Sequence, residues 1–286
     1  MYKFTAFRES FFSDRKVRMT QPSLFNDPFE SAINSSVASA LWLKELKRLG
    51  VGDEEYMVNH LRQYSVIDPS ISVLSLTESS NNLLMWAHYA NEHKGIIIEV
   101  DISHEFFNSK SHGFSGKCFK IRYTNERLNT NDYLRNNLGL PPGNLLKKSN
   151  EWAYEKEVRF FLTKDQVEVS NDNAELWLCS LPINSIKSII IGVRANKWHI
   201  IYHFFKALLS GSFPQHMELH LARLKNDTYE IEYVPFCDAK EICSILDRHQ
   251  VTTLLSQLEY IHAEPLKVVS SINVAYAKTL QYMLET

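Results

Sequence analysis

The sequence predicts an α+β protein, with a mixed or antiparallel sheet, flanking helices and a C-terminal helical hairpin. Two patterns lead to this prediction. Short apolar or alternating stretches typical of strands recur along the chain, and Ile71–Thr77 is the clearest of them. From residue 239 onward the apolar residues instead recur with helical spacing. We therefore expect one α+β domain over residues 1–236 and a helical extension over residues 237–286.

The composition is that of an ordinary globular protein. The 286 residues are 44% hydrophobic and 22% charged, and the formal net charge is −2. A global positive field of the kind that drives non-specific nucleic-acid binding is therefore excluded. The apolar runs are far shorter than the roughly 20 residues of a membrane helix, and no signal-peptide stretch opens the sequence. We expect a cytoplasmic protein that contacts no membrane.

The four cysteines are scattered and form no CxxC pair, which favours reduced thiols over a disulfide or zinc framework. Strands are predicted from alternating or continuous apolar runs, and helices from apolar spacing and capping residues. The predicted strands are residues 2–7, 17–20, 71–77, 95–101, 118–123, 157–162, 176–181, 188–193 and a hairpin of 217–224 with 228–234. The predicted helices are residues 9–16, 37–49, 53–64, 83–90 and 195–209, followed by the C-terminal stripes.

The first polar cluster is residues 26–30, Asn-Asp-Pro-Phe-Glu. The proline pushes Asp27 into an extended conformation, which suits the residue before a helix. One interpretation is therefore a helix start, with Asp27 as the N-cap and Glu30 complementing the helix dipole. The alternative is a functional carboxylate, and the sequence leaves both open.

The second cluster combines Ser75, at the end of a predicted strand, with residues 85–89, Met-Trp-Ala-His-Tyr. Large apolar residues within one short helix are usually core residues. Trp86 and Tyr89 therefore suit a structural role. His88 is either a satisfied core histidine or a catalytic residue.

The third cluster is residues 151–159. If the chain is extended from Glu155 onward, Glu155, Glu157 and Arg159 point to the same face of a strand. Two carboxylates and a guanidinium are costly to bury without a purpose. The alternative is the exposed face of an edge strand, on which the ions are solvated and paired.

Other motifs give weaker evidence of a functional site. The chain has no GxxxxGK[ST] or GxGxxG sequence, so Walker and Rossmann phosphate sites are excluded. His199 and His203 are four residues apart on a predicted helix, which is a metal-ligand spacing. The glutamate of an HExxH motif is missing, and Trp198, Ile200 and Ile201 suggest packing, so we expect no metal.

Three of these segments, in this order, resemble the bacterial domain-of-unknown-function family 2971. They are residues 25–30 (Phe-Asn-Asp-Pro-Phe-Glu), residues 85–89 (Met-Trp-Ala-His-Tyr) and residues 152–159 (Trp-Ala-Tyr-Glu-Lys-Glu-Val-Arg). The similarity spans roughly residues 2–235. The family name itself implies no activity.

A looser similarity connects the chain with ADP-ribosyltransferase-like domains. Lys3 lies in an opening strand like theirs, where members carry a basic or histidine anchor for NAD, and Arg18 is the next basic candidate. Ser75 is similar to the first serine of their Ser-Thr-Ser motif. Glu155 and Glu157 are similar to their Glu-x-Glu motif. The resemblance implies an enzyme that takes NAD as its substrate.

This resemblance also implies roles for single residues. Glu157 would contact the ribose, Glu155 would activate the acceptor, and Ser75 would support Glu157. A carboxylate suits this reaction because breaking the nicotinamide–ribose bond passes through a cationic state. The remaining candidates would contact NAD: Lys3, Arg18, Asn26, Asp27 and Arg159 on the dinucleotide, with Trp86, His88 and Tyr89 around the nicotinamide. A toxin or antiviral defence effector with a protein or nucleic-acid acceptor is the implied biological setting.

Two other function classes stay open. In a metal-dependent hydrolase or nuclease, the ligands for Mg²⁺ or Mn²⁺ would be Asp27, Glu30, His88, Glu155 and Glu157. In a non-enzymatic binding module, the motifs would be core and the helical tail would bind a partner. We further expect residues 26–30, His88 and residues 155–159 to line one cleft. The tail is expected to pack on the body or on a second copy.

Overall fold

The computed structural model describes residues 1–31, 69–109, 113–127, 143–245, 253, 256 and 274–285. Helices and mostly antiparallel strands alternate along these residues, and this confirms the predicted α+β class. Within the same residues, no helix has the length and apolar character needed to cross a bilayer. The predicted helices 37–49 and 53–64, and most of the link between the C-terminal helices, lie outside the described residues.

Most of the described strands lie at the predicted positions, with bounds that differ by a few residues. The short strands at residues 147–148 and 168–169 were not predicted, and the predicted strand 118–123 forms two separate strands. In chain order they are β1 (Tyr2–Thr5), β2 (Lys16–Met19), β3 (Ile71–Thr77), β4 (Ile96–Val100), β5 (Cys118–Lys120), β6 (Arg122–Tyr123), β7 (Lys147–Lys148), β8 (Glu157–Thr163), β9 (Glu168–Val169), β10 (Trp177–Ser180), β11 (Ile186–Ile191), β12 (Glu218–Leu224) and β13 (Ile231–Pro235).

The described α-helices are α1 (Phe11–Asp14), α2 (Pro28–Ser31), α3 (Leu83–Tyr89), α4 (Lys197–Leu209), α5 (Ala239–Ile245) and α6 (Val274–Glu285). Two of these helices have an asparagine N-cap. Its side chain accepts hydrogen bonds from backbone N–H groups of the first turn, which have no partner within the helix. Asn82 accepts from Leu84 and Met85 at the start of α3, and Asn196 accepts from His199 at the start of α4.

The described residues belong to two compact units that interleave along the chain. Unit 1 is drawn from Met1–Lys16, Ser79–Asp101 and Ser180–Thr286, and unit 2 from Val17–Glu78 and Ile102–Cys179. The predicted boundary between residues 236 and 237 lies inside unit 1.

In unit 1 the strands follow the order β13-β12-β11-β4-β1. β11 and β12 are parallel, and the other neighbours are antiparallel. β4 lies between β1 and β11, and Ile96, Ile97 and Ile98 are completely buried. A strand covered on both faces has an apolar run instead of an alternating pattern, which explains its sequence.

Helix α4 packs on unit 1 through one apolar face. Ile200, Ile201, Phe204, Phe205 and Leu208 are buried, and their spacing places them together on a helix of 3.6 residues per turn. The predicted hairpin is confirmed, since β12 pairs antiparallel with β13. Its turn closes with a hydrogen bond from the Lys225 amide to the Glu230 carbonyl, so the loop is longer than the predicted turn.

In unit 2, β8 lies between β3 and β5, with both pairs antiparallel. Its apolar core includes Phe107, Phe160 and Phe161, which are fully buried. Two short strands, β6 and β7, run parallel and pair Tyr123 with Lys148. These pairings bring the charged residues of the third cluster into the interior of unit 2.

Candidate functional site

The charged residues of β8 lie in a buried, central strand. Glu157 and Arg159 are two residues apart and share a face, and their exposed fractions are 5% and 1%. The alternative of a solvated edge strand is therefore wrong. The strand begins at Glu157, because Lys156 has a left-handed backbone (φ 44°) that ends a 3₁₀ helix over Asn150–Glu155. The condition that the chain is extended from Glu155 is therefore not met, whereas the predicted strand start at residue 157 is confirmed.

Arg159 connects two carboxylates and a backbone carbonyl. Its Nε donates to Glu157 Oε1 at 2.9 Å, and its Nη2 donates to Glu157 Oε2 at 3.1 Å and to Glu30 Oε1. Its Nη1 donates to the Leu145 carbonyl at 2.8 Å. The guanidinium carbon also lies 4.6 Å from the centre of the Phe25 ring, a cation–π distance. A planar donor with five N–H groups suits this role, and lysine would not replace it.

Lys148 is the second buried cation of the site. Its Nζ lies 2.6 Å from Glu155 Oε2, 3.4 Å from Glu157 Oε2 and 3.6 Å from Glu30 Oε2. The same atom stands 4.8 Å from the centre of the Trp152 ring. Although Glu155 is outside the strand, Lys148 therefore joins it to Glu157.

We call Glu30, Lys148, Glu155, Glu157 and Arg159 the charge cluster. Three carboxylates and two cations carry a net charge of −1 when all five are ionised (2 − 3). Buried charges are tolerated when they are paired and hydrogen-bonded, and each member here has an opposite charge within 4 Å.

Two of the carboxylates have opposite pKa shifts. Burial acts to raise the pKa of Glu157, but the charges and hydrogen bonds of Arg159, together with Lys148 and Ser75, outweigh it and lower the pKa to about 2. Burial also raises the pKa of Glu30, and there the nearby Arg159 and Lys148 only partly offset it. Burial would lower the pKa of Lys148, yet the three carboxylates raise it. Of these two carboxylates, Glu157 is therefore the one whose ionised form the surroundings stabilise.

Ser75 and Tyr123 complete the surroundings of Glu157. Ser75 lies opposite Arg159 in the β3–β8 register, and its side chain hydrogen-bonds to the Glu157 carboxylate. The Tyr123 hydroxyl accepts the Glu157 backbone N–H at 2.7 Å. Burial raises the pKa of Tyr123 to about 12, so this hydroxyl stays neutral.

The first polar cluster contributes through helix α2. Asp27 is buried, and its Oδ1 accepts the Phe29 backbone N–H at 2.9 Å, which confirms its interpretation as a helix cap. Glu30 lies in the same short helix, and its carboxylate contacts Arg159. The Asn144 side chain donates to the Glu30 carbonyl at 3.2 Å and holds the helix in place. Asn26 itself is exposed.

The structure thus brings Glu30, Ser75, Glu155, Glu157 and Arg159 together in unit 2. Arg18, on β2, is exposed. Lys148, Tyr123 and Asn144 were not among the residues predicted from the sequence. The one available signal was charge balance, because a buried set of carboxylates around a single arginine requires another cation.

The remaining candidates belong to unit 1. Trp86 is completely buried, lies edge-on to Phe4 at 5.3 Å, and stacks on His93 at 6.3 Å. Its Nε1 donates to the Tyr233 hydroxyl at 3.3 Å. His88 is exposed, Tyr89 is half-buried beside it, and Lys3 pairs with Ile98 across β1 and β4. Because His88 and the charge cluster belong to different units, the single cleft stays a prediction.

Fold and site together define an α+β protein with a buried charge cluster on a central strand. Residues 85–160 match the family model described as "Protein of unknown function (DUF2971)". This match confirms the predicted resemblance for residues 85–160, which run from within α3 through β4, β5, β6 and β7 to Glu157 and Arg159 in β8. The motif at residues 25–30 and the rest of the expected span lie outside the matched range. No curated protein and no solved structure matches the chain.

Proposed function

We propose that this chain is an ADP-ribosyltransferase-like enzyme that cleaves NAD in the cytoplasm and transfers ADP-ribose to a protein or nucleic-acid acceptor. The observation that supports it is the contact between Ser75 and Glu157 on neighbouring strands. The resemblance to ADP-ribosyltransferase-like domains implies the same contact, in which the serine motif supports the second glutamate of the Glu-x-Glu motif. A setting in toxin or defence biology is part of the same proposal.

The electrostatics of Glu157 suit the reaction. The nicotinamide–ribose bond breaks through a state with positive charge on the ribose, and an ionised carboxylate stabilises such charge. With a pKa of about 2, Glu157 carries its charge at any physiological pH. Stabilisation of this kind is greatest where water is excluded, and Glu157 is deeply buried.

Access to Glu157 depends on Lys148. The Lys148 ammonium lies 3.4 Å from Glu157 Oε2 and 2.6 Å from Glu155 Oε2, so its contact with Glu155 is the shorter one. In the proposed complex, the ribose hydroxyl replaces Lys148 at Glu157, and Lys148 stays with Glu155. The carboxylate of Glu155 then lies next to the reaction and accepts the proton of the incoming nucleophile.

Removing the Glu157 charge tests the proposal. With Glu157→Gln, nicotinamide release from NAD should fall about 10²- to 10³-fold, as when one electrostatic stabiliser is lost from a transition state. The rate is measured with purified protein and a cell lysate as the source of acceptor. The loss should be the same with and without EDTA, because this mechanism uses no metal.

A matched pair elsewhere in the chain provides the control. Ser188 donates to Glu99 at 2.6 Å, and the two residues face each other on β11 and β4. Glu99→Gln should leave the rate unchanged. Because Glu157→Gln also disturbs a buried ion pair, Ser75→Ala, with Ser188→Ala beside it, provides the milder variant. Folded variants that cleave NAD at the wild-type rate would remove this function, and activity lost in EDTA would favour a metal-dependent hydrolase.

A further inference from the structure

Glu9, His199 and His203 bring three metal-ligand side chains together in unit 1. Their nearest ligand atoms all lie within 4.8 Å of one another. His199 Nε2 is 2.9 Å from Glu9 Oε1, and His203 Nε2 is 3.8 Å from Glu9 Oε2. Glu9 is distant in sequence from the two histidines, so it does not belong to the local HExxH pattern.

Helix α4 positions the two histidines. Residues four apart on a helix lie on the same face, one turn above the other. The His199 and His203 rings are 4.7 Å apart, with an angle of 78° between their planes. Both lie within a 13-residue helix that begins after the Asn196 cap, so their spacing is fixed by the backbone.

Neighbouring side chains hold the rings and the glutamate. Phe7 packs against His199 at 5.8 Å and against His203 at 6.1 Å. Arg8 is bound to Asp14 and to the Lys16 carbonyl, so it braces the turn that carries Glu9. Arg8 is thereby engaged with a different carboxylate.

We propose that Glu9, His199 and His203 bind a divalent transition metal ion of the zinc class and leave one coordination position to water. Two histidines and a carboxylate are the protein ligands of many zinc sites with an open fourth position. In a tetrahedral site, ligand atoms at 2.0–2.1 Å from zinc are separated by about 3.3 Å. The present separations of 2.9 and 3.8 Å lie on either side of that value, so small side-chain rotations are enough.

Comparison with a second His–Glu pair shows how the group of Glu9, His199 and His203 differs from an ordinary surface contact. His220 lies 3.2 Å from Glu218 on β12, with no third ligand grouped with them among the described residues. Such a contact is an ordinary side-chain hydrogen bond between neighbouring residues of one strand. Glu9 instead faces two imidazoles, and an oxygen of its carboxylate lies within 4 Å of each. The site is also independent of the proposed NAD chemistry, which calls for no metal.

The test is zinc binding by the full chain after removal of metal with a chelator. Titration calorimetry and metal analysis after dialysis should give one zinc ion per chain. His199→Ala and His203→Ala should each weaken binding at least tenfold, and Glu9→Gln should weaken it as well. At a free zinc concentration of 100 times Kd, the wild-type melting temperature should rise by about 5 °C. Co²⁺ should give the visible absorption of a four-coordinate site.

His220→Ala is the matched control, and it should bind zinc like the wild type. Cys237→Ser controls for the exposed thiol, which is another zinc ligand. His199 is 40% exposed, so its alanine variant retains the core packing of α4. Absence of zinc binding by the wild type below about 10⁻⁴ M would overturn the proposal. Equal binding by both His199→Ala and His203→Ala, or loss of binding in either control, would overturn it too.

Discussion

At the scale of single residues, Arg159 connects two buried carboxylates of unit 2. It pairs with Glu30 and Glu157 and also holds the Leu145 carbonyl. A buried ion pair adds little to stability compared with a well-packed apolar replacement, because desolvation offsets the attraction. Removing one partner is different, since it leaves the other charges buried without compensation.

Arg159→Met should therefore destabilise the protein strongly. The change leaves the Glu30 and Glu157 carboxylates without their main partner and should lower the free energy of unfolding by about 3–5 kcal/mol. Urea denaturation followed by circular dichroism measures it. Arg223→Met is the matched control, because Arg223 also bridges two carboxylates, Glu232 and Glu241, but at the surface. Its loss should be clearly smaller, and equal losses would contradict a special role for burial.

The contribution of the charge cluster to folding stability should depend on pH in opposite directions above and below about pH 4.5. Glu157 has a pKa of about 2 against an ordinary value of 4.5, so its contribution is present above 4.5 and is lost as the pH falls towards 2. Glu30 has a raised pKa, so its contribution is present below 4.5 and is lost as the pH rises through its folded value. The part of the folding stability that these two carboxylates supply should thus rise on mild acidification and fall below about pH 4.5.

Glu30→Gln isolates the first of these effects, because every other group titrates in both proteins. The gain on mild acidification should be smaller in Glu30→Gln, while the loss in stronger acid should remain. The free energy of unfolding in urea, measured in steps of pH for both proteins, provides the comparison. A variant whose pH profile runs parallel to that of wild type would contradict the raised pKa of Glu30.

Part of the site could be predicted from sequence at this scale. Period-two spacing placed Glu157 and Arg159 on one face of a strand, and Asp27 before a proline predicted a cap. Lys148 and Tyr123 were not predicted, because they enter through the β6–β7 pairing. That pairing joins segments 25 residues apart (148 − 123), and neither strand has a strong local pattern. Contacts set by such a short pairing are invisible to periodicity.

At the scale of elements, the close approach of neighbouring backbones requires glycine at two positions of unit 1. The turn after α3 holds Asn91, Glu92 and His93 in left-handed conformations, with φ of 48°, 55° and 69°. It brings the His93 carbonyl against Gly192, where a Cβ would lie 2.3 Å from the oxygen. A Cβ on Gly95 would lie 2.1 Å from the Thr5 carbonyl oxygen. These glycines allow neighbouring backbones to approach closely.

Gly192→Ala should accordingly weaken unit 1. The new Cβ meets backbone atoms that no rotamer change can move, so the free energy of unfolding should fall by about 3 kcal/mol, as in severe overpacking. Gly211→Ala is the comparison, because its site is open but its φ is +74°. That variant should lose only about 1 kcal/mol through backbone strain. Thermal or urea unfolding measures both, and a smaller loss for Gly192→Ala would contradict the close-approach explanation.

Strands and helices were predicted better than the segment before β8. The 3₁₀ helix over Asn150–Glu155 ends in a left-handed lysine, and a single sequence gives no warning of it. The expected strand face therefore included Glu155 wrongly. Glu155 nevertheless belongs to the charge cluster, because its carboxylate contacts the Lys148 ammonium. It does not join the cluster by sharing a strand face with Glu157.

At the scale of the whole molecule, the two units are each assembled from separated stretches of chain. The sequence predicts a body followed by a tail, because local patterns change from strand to helix near residue 239. The described tail helices pack within unit 1, in agreement with the expectation that the tail packs on the body. α5 and α6 contact each other, and Tyr276 and Leu280 of α6 are buried. Long-range packing of this kind leaves no mark in periodicity beyond the apolar stripe itself.

Tyr276 is the residue through which the tail is expected to stabilise unit 1. Its ring packs on Phe204, Phe205 and Phe236, at 6.0, 5.9 and 5.7 Å. Its hydroxyl donates to the Met217 carbonyl at 2.6 Å and accepts the Leu219 N–H at 2.9 Å. Tyr276→Ala should therefore lower the free energy of unfolding by about 3–5 kcal/mol, through the cavity and the lost hydrogen bonds.

The matched control for Tyr276→Ala is Tyr229→Ala, because the Tyr229 side chain is 97% exposed at the β12–β13 turn. Replacing an exposed side chain should change stability by less than about 0.5 kcal/mol. Urea unfolding of both variants gives the comparison, and size-exclusion chromatography reports whether the uncovered aromatic surface drives association. If Tyr276→Ala unfolds at the same urea concentration as Tyr229→Ala and stays monodisperse, the tail does not stabilise unit 1. A large loss confined to Tyr276→Ala would instead make α6 part of the folded core, so that a chain ending at Phe236 should aggregate.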